Sequence, residues 1–213
     1  MKNLIDAVRE TLVSYSPGCP VYLDKLTTEL NQKGGSAVGV STREVGDAVQ
    51  ALVGKQVGDT TLHNFIGDIY YRTVMTPFGE TRIDKNKVIY DLFLSGGNGY
   101  LTGSTFFHNS GLMTLIPRQL EIASNNFTVD PHISDTLNIK LEKPRTFVDE
   151  CNRYYLQTLD AISALPRAQF DVSDPKAALR RHIERTEQDG SALLRLASEL
   201  YEDYVHDLLL GIM

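Results

Sequence analysis

No apolar run in the 213-residue sequence approaches the roughly 18 to 20 residues that a membrane span requires. Residues 1–15 interleave charged and apolar side chains where a secretion signal would carry an apolar centre, so a cytoplasmic protein without membrane attachment is expected. Cysteine is also scarce. Cys19 and Cys151 stand far apart, with no CxxC pair and no histidine spaced to complete a zinc site, which points to plain thiols in a reducing compartment. There is no low-complexity tract and no internal repeat, and the composition, 42% hydrophobic and 23% charged, is that of a globular chain able to bury a core.

A basic segment is missing as well. Residues 1–75 hold seven Lys/Arg against eight Asp/Glu, 76–147 seven against seven, and 148–213 seven against twelve, which together give the net charge of −6. This counts against strong sequence-independent attraction to nucleic acid, which needs cations set against phosphates. A small local contact surface remains compatible with it.

Catalytic signatures are absent in turn. There is no GxSxG elbow, no activating histidine near either cysteine in the sequence, and no HExxH among His63, His108, His132, His182 and His206. Asp130, Asp135 and Glu142 with Lys140 form the one carboxylate–lysine group that suggests a nuclease. Its order is Lys-x-Glu where a restriction-type site has Glu-x-Lys, so these charges are read as structural or surface groups. No enzyme activity, cofactor or metal is expected.

What the sequence does contain falls into three textures. In "KNLIDAVRETLVSY" Leu4, Ile5, Val8, Leu12 and Val13 recur at helical spacing, and Pro17-Gly18 ends the run. "LDKLTTELNQKG" places Leu23, Leu26 and Leu30 on one helical face and stops at Gly34-Gly35. In "STREVGDAVQALVGKQ", Ser41 followed three residues later by Glu44 is a capping box that starts a third helix. Val45, Ala48, Val49, Leu52 and Val53 form its apolar stripe, with Thr42, Arg43, Gly46, Asp47 and Gln50 on the other side. "TLHNFIG" and "DIYYRTV" then read as two strands turning at Gly67-Asp68.

Three small helices and a hairpin suit a winged helix, whose third helix enters the major groove while the wing touches the backbone or minor groove. On that plan Arg43 forks onto guanine, Gln50 pairs with adenine, and Thr42 reaches phosphate. Ser41, Asp47, Lys55, His63 in the wing and Arg72 complete the candidate DNA-contacting set. The same helix–hairpin unit also serves as a protein–protein adaptor, and polar residues on an exposed helix face are ordinary.

A turn-rich join at Thr76-Pro77-Phe78-Gly79 marks the expected boundary between a domain of residues 1–75 and one of 76–213. "DKNKVIYDLFL" reads as a helix through Val88, Ile89, Leu92 and Phe93, and leads into "LSGGNGYLTGSTFFHNSGLM". A phosphate-binding P-loop follows a strand and closes on Gly-Lys-Ser/Thr, yet no lysine lies between Asp91 and Pro117. The GxGxxG spacing of a dinucleotide site is missing too. These glycines therefore turn the chain, from a helix end into a short strand "YLT". A helix through Phe106, Phe107 and Ser110 follows, capped by Thr102 or Ser104 and ended at Gly111. "LMTLIPRQLEIAS" then runs out as strand, with Pro117 at its start or edge.

The run from Val88 to Asn126, preceded by "YYRTVMTPFGE", resembles the signature region of the AbiEi family of abortive-infection antitoxins. Gly99, Tyr100, Leu101, Thr102, Gly103, Gly111, Leu112, Ile116 and Pro117 are the matching positions. Met113-Thr114-Leu115 depart from the polar triplet that family members often carry after "GL". The resemblance, over roughly residues 20 to 145, implies an α+β protein: a winged helix-turn-helix domain, then a mixed α/β antitoxin domain. It further implies a DNA-binding antitoxin and autorepressor of a type IV toxin–antitoxin operon. Its partners would be repeats in its own promoter, a second copy of the chain as a homodimer on that DNA, and a nucleotidyltransferase-like toxin.

The remainder, about 148–213, reads as three helices: one closing at Pro166, one from Asp174-Pro175 to Gly190, and one from Ser191 onward. The last has a wide apolar face, Leu193 through Leu209, expected to cover the second domain or to form a dimer or partner seam.

Overall fold

A computed structural model describes residues 4–34 and 39–213; of the expected helix stop, Gly35 lies outside them. The fold is mixed α+β, in two compact units, Met1–Val88 and Ile89–Met213. In the first, α1 (Leu4–Val13), β1 (Pro20–Tyr22), α2 (Leu23–Gly34) and α3 (Thr42–Gln50) precede β2 (Gln56–Val57), β3 (Thr60–Ile66) and β4 (Ile69–Thr73). These strands form an antiparallel sheet in the order β1-β4-β3-β2. Val8 and Leu12, Leu26 and Leu30, and Val45, Val49 and Leu52 meet Val57, Leu62 and Tyr70 of the sheet in one core. Each such fully buried aliphatic side chain contributes about 1.5–3 kcal/mol relative to exposure. The helical periodicity is thus realised as three helices that share one core with the sheet.

The expected join near Thr76 is instead a tight hairpin, β5 (Met75–Thr76) and β6 (Gly79–Glu80), belonging to the first unit. Thr73 Oγ1 donates to Glu80 Oε1 at 2.5 Å and Thr81 N–H to Val74 O at 3.0 Å, tying the hairpin to the end of β4. Helix α4 (Lys85–Ile89) runs up to the division between the units and passes into one π-helical turn, Tyr90–Leu94, closed by the Ser95 N–H on Tyr90 O.

The second unit holds β7 (Gly99–Leu101), α5 (Gly103–Asn109), β8 (Leu120–Ser124), α6 (Pro131–Leu137) and β9 (Ile139–Glu142). β7 pairs antiparallel and β9 parallel with the central β8. The glycine-rich segment works by close approach: a Cβ on Gly97 (φ +73°) would meet Glu150 N at 2.5 Å, and one on Gly99 would meet the carbonyl oxygens of Phe93 and Ala123 at 2.5 Å. Thr102 stands at the N-cap of α5 without a side-chain bond to the helix, and the Ser104 hydroxyl donates to Glu121. Thr102 thus takes the N-cap position without a side-chain cap, and the Ser104 hydroxyl is spent on β8. The strand expected over 112–124 begins only at Leu120, and Pro117 lies in the preceding loop.

Four helices complete the unit where three were expected: α7 (Arg153–Ala164), α8 (Pro175–Arg185), α9 (Gly190–Leu200) and α10 (Asp203–Leu210). Tyr201 is extended (φ −126°, ψ 166°) and breaks the last apolar run. The break folds Val205 and Leu209 back into the core formed by Phe106, Leu159, Leu179 and Leu193. That face accordingly lies within the unit's own core.

Candidate nucleic-acid interface

The start of α3 is held by reciprocal bonds. Ser41 Oγ accepts from Glu44 N–H at 3.3 Å and donates to Glu44 Oε2 at 2.7 Å, which also accepts from Ser41 N–H at 2.9 Å. These hydrogen bonds, from the Ser41 backbone first and its hydroxyl second, hold the Glu44 carboxyl below its usual range. Ser41 is thereby committed to the helix. Val45, Ala48 and Val49 are buried against α1 and α2. Gly46 is half-buried because α2 comes close there: a Cβ would meet Leu23 Cδ2 at 3.3 Å.

The opposite side of α3 carries Thr42, Arg43, Asp47 and Gln50, all exposed. Arg43, Asp47 and Gln50 follow at steps of four and three residues, which aligns them along one stripe. Lys55 is exposed in the turn after the helix, where its backbone bonds to Leu52 and Leu62. Five of the expected residues, these four and Lys55, are thus accessible on or just after one helix.

Arg72 is a correction. It is 3% exposed, and one guanidinium nitrogen donates to the carbonyls of Leu12, Val13 and Tyr15 at 2.8, 2.7 and 2.8 Å. Its Nε donates to Thr60 Oγ1 at 2.6 Å. Arg72 pairs in register with the core residue Leu62, so strand alternation sends it inward, beneath the open C-terminal carbonyls of α1. It caps that helix and offers nothing to a duplex.

His63, one step out of phase with Leu62, lies on the other sheet face beside Tyr71, with ring centroids 5.5 Å apart. Its Nε2 is 3.3 Å from Glu80 Oε1. It sits along β3, away from the Gly67-Asp68 turn that forms the hairpin tip.

In the second unit Asp130 caps α6 by accepting from His132 N–H at 2.8 Å, and Lys140 Nζ pairs with Glu142 at 2.7 Å. Among the described residues no group of three or more His, Cys, Asp or Glu is placed to hold a metal, and no helix is long and apolar enough to cross a membrane. A polar cluster that sequence spacing did not signal forms instead. Tyr100 and Tyr201 donate to the two oxygens of Asp160 at 2.6 and 2.8 Å, and Arg145 stacks over Tyr201 at 4.2 Å from the ring centroid. Burial raises the Asp160 carboxyl above its usual range against the opposing effect of the two tyrosine bonds, and burial with the Asp160 charge pushes both phenols up. The "GYLTG" motif was visible, but its partners lie 60 and 101 residues further along the chain, beyond any local pattern.

No family model and no curated protein matches the chain. Among solved structures it is similar to the RV2827C protein from Mycobacterium tuberculosis at 13% identity, covering 98% of this chain and 78% of that one with a TM-score of 0.42. A likeness at that score carries no argument about function.

Proposed function

We propose that the first unit is a winged-helix DNA reader and that the chain is an antitoxin of AbiEi type that represses its own operon. The observation carrying this reading is the exposed polar stripe of α3, on a helix fixed at its start by a capping box and packed over a sheet in which β1, β4 and β3 are neighbours. Inserted in a major groove, Arg43 suits guanine O6 and N7, Gln50 suits adenine, Asp47 accepts from a cytosine amino group, and Thr42 reaches a phosphate. The Gly67-Asp68 turn is the wing. The companion toxin would be a nucleotidyltransferase-like protein from the same operon.

Gel shift on the DNA upstream of its own gene tests the reading. Arg43→Ala and Gln50→Ala are each expected to weaken specific binding by about 1–3 kcal/mol and to relax sequence preference. Binding unchanged in the double variant would end the assignment of α3 as the reading helix. A second reading, a protein-interaction module or orphan regulator, is favoured by the β5–β6 hairpin, where Met75 is 75% exposed and Phe78 fully so. It requires a co-purifying protein whose association is insensitive to salt.

A further inference from the structure

The second unit carries a polar cleft that the DNA-binding reading does not use. Register places Tyr100, Ala123 and Glu142 side by side on the sheet face turned toward α7. Between that face and the helix lies a cleft of about 430 Å³, the size of a small-molecule site, with Thr102, Phe107, Glu142, Lys143, Arg145 and Asp160 in its lining.

Arg145 is oriented and has N–H donors to spare, with its side chain 37% exposed. Its guanidinium is stacked on Tyr201, and Nη1 donates to Leu200 O at 3.3 Å. Asp160 at 3.7 Å and Glu202 at 3.8 Å attract it from beyond hydrogen-bond reach. That is the one hydrogen bond of this side chain among the described residues, from a group with five N–H donors. Arg145 also forms part of the wall of two adjoining clefts, one of which shares Lys143 and the other Ser163. Asp160 accepts one tyrosine hydroxyl on each oxygen, which leaves acceptor capacity on a carboxylate poorly solvated by its surroundings.

The lining charges come in two signs, Lys143 and Arg145 against Glu142 and Asp160, and Lys140 Nζ already holds Glu142 at 2.7 Å, which leaves Asp160 as the carboxylate open to a cation. A ligand with one charge would meet its own sign across the cleft. A ligand with both has a partner for each, and the Phe107, Ala123 and Ala164 walls receive an apolar part. We infer that this cleft binds a small zwitterion of α-amino-acid type, its carboxylate on the Arg145 fork and its ammonium on Asp160. The inference stands on the second unit alone and is independent of DNA binding.

Thermal-shift measurement of the full chain with each common amino acid, followed by calorimetric titration, tests it, with propionate and propylamine as single-charge probes. The expected result is saturable binding of at least one amino acid and markedly weaker binding of both probes. Arg145→Gln is expected to weaken that binding roughly ten- to a hundredfold, the scale of a lost charge-assisted hydrogen bond. Because Arg145 also packs on Tyr201, Ser163→Leu is the second variant: Ser163 lines the cleft and its hydroxyl bonds only within its own helix, to Asp160 O at 2.8 Å. It fills the cleft and is expected to abolish binding with the far-UV spectrum unchanged. No shift with any amino acid, propionate binding as tightly as the amino acid, or undiminished binding by a folded Ser163→Leu would each overturn the proposal.

Discussion

Arg72 joins three parts of the first unit through one side chain: the end of α1, the start of β3 at Thr60, and its own strand β4. The last carbonyls of a helix have no partner within it, and a buried guanidinium satisfies them with charge-assisted bonds. Arg72→Ala removes the donor and takes from the Val13 and Tyr15 carbonyls and the buried Thr60 hydroxyl their guanidinium partner, an expected loss of about 2 kcal/mol, read by urea denaturation. Arg72→Lys is expected to restore little, since one ammonium cannot serve both Thr60 and the three carbonyls in the geometry of a planar fork. A loss below about 0.5 kcal/mol would assign the arginine to the surface category in which sequence reading placed it.

His182 is the titrating counterpart. It is 5% exposed, edge-on to Phe106 at 4.9 Å, and Arg185 lies 3.2 Å from its Nδ1. Burial first, then the Arg185 charge, lowers its pKa to about 4. The fold therefore favours the neutral ring, whereas the unfolded chain takes up its proton near pH 6.5. This contribution is fully present above about pH 6.5 and is lost as pH falls toward 4, amounting to about 3 kcal/mol over that window. Urea midpoints of the protein and of His182→Gln at pH 7.5 and 4.5 measure the difference; parallel pH dependence in the two proteins would remove His182 from the account.

At the scale of elements, legibility followed locality. The capping box of α3 was written in four consecutive residues and is present as such. Ser41→Ala is expected to cost about 1 kcal/mol, measured by thermal melting, with a further loss of DNA affinity if the stripe is displaced. The β3–β4 hairpin was equally local, announced by alternation on either side of Gly67-Asp68. Elements set by distant contacts were not legible. The last apolar run has no Pro or Gly at Tyr201, and the helix breaks there with the Tyr201 ring buried and its hydroxyl on Asp160. Residues 113–119 have strand-like composition yet find no strand partner, and Leu115 and Ile116 stay 70% and 75% exposed. "IYYRT" has polar groups on both faces and is buried on both, and the α1 carbonyls mark the face that turns to the helices.

Over the whole molecule, charge constrains the proposed function more than fold does. The sequence carries 21 Lys/Arg and 27 Asp/Glu, and with Arg72 buried the α3 surface offers two cations from the expected set, Arg43 and Lys55. Each phosphate neutralised adds about 0.9 to the slope of log affinity against log salt. With Arg43 on guanine, Lys55 is the cation of that set left for a phosphate, and a reader of this kind is therefore expected to show a shallow slope, about −1 for one copy on DNA and about −2 for two, with specificity resting on base contacts. Sequence alone would have put Arg72 in the count and steepened the forecast. Fluorescence anisotropy on the promoter DNA between low and moderate salt gives the slope directly. A slope steeper than about −6 would require cations outside this face, and would move the interface away from α3.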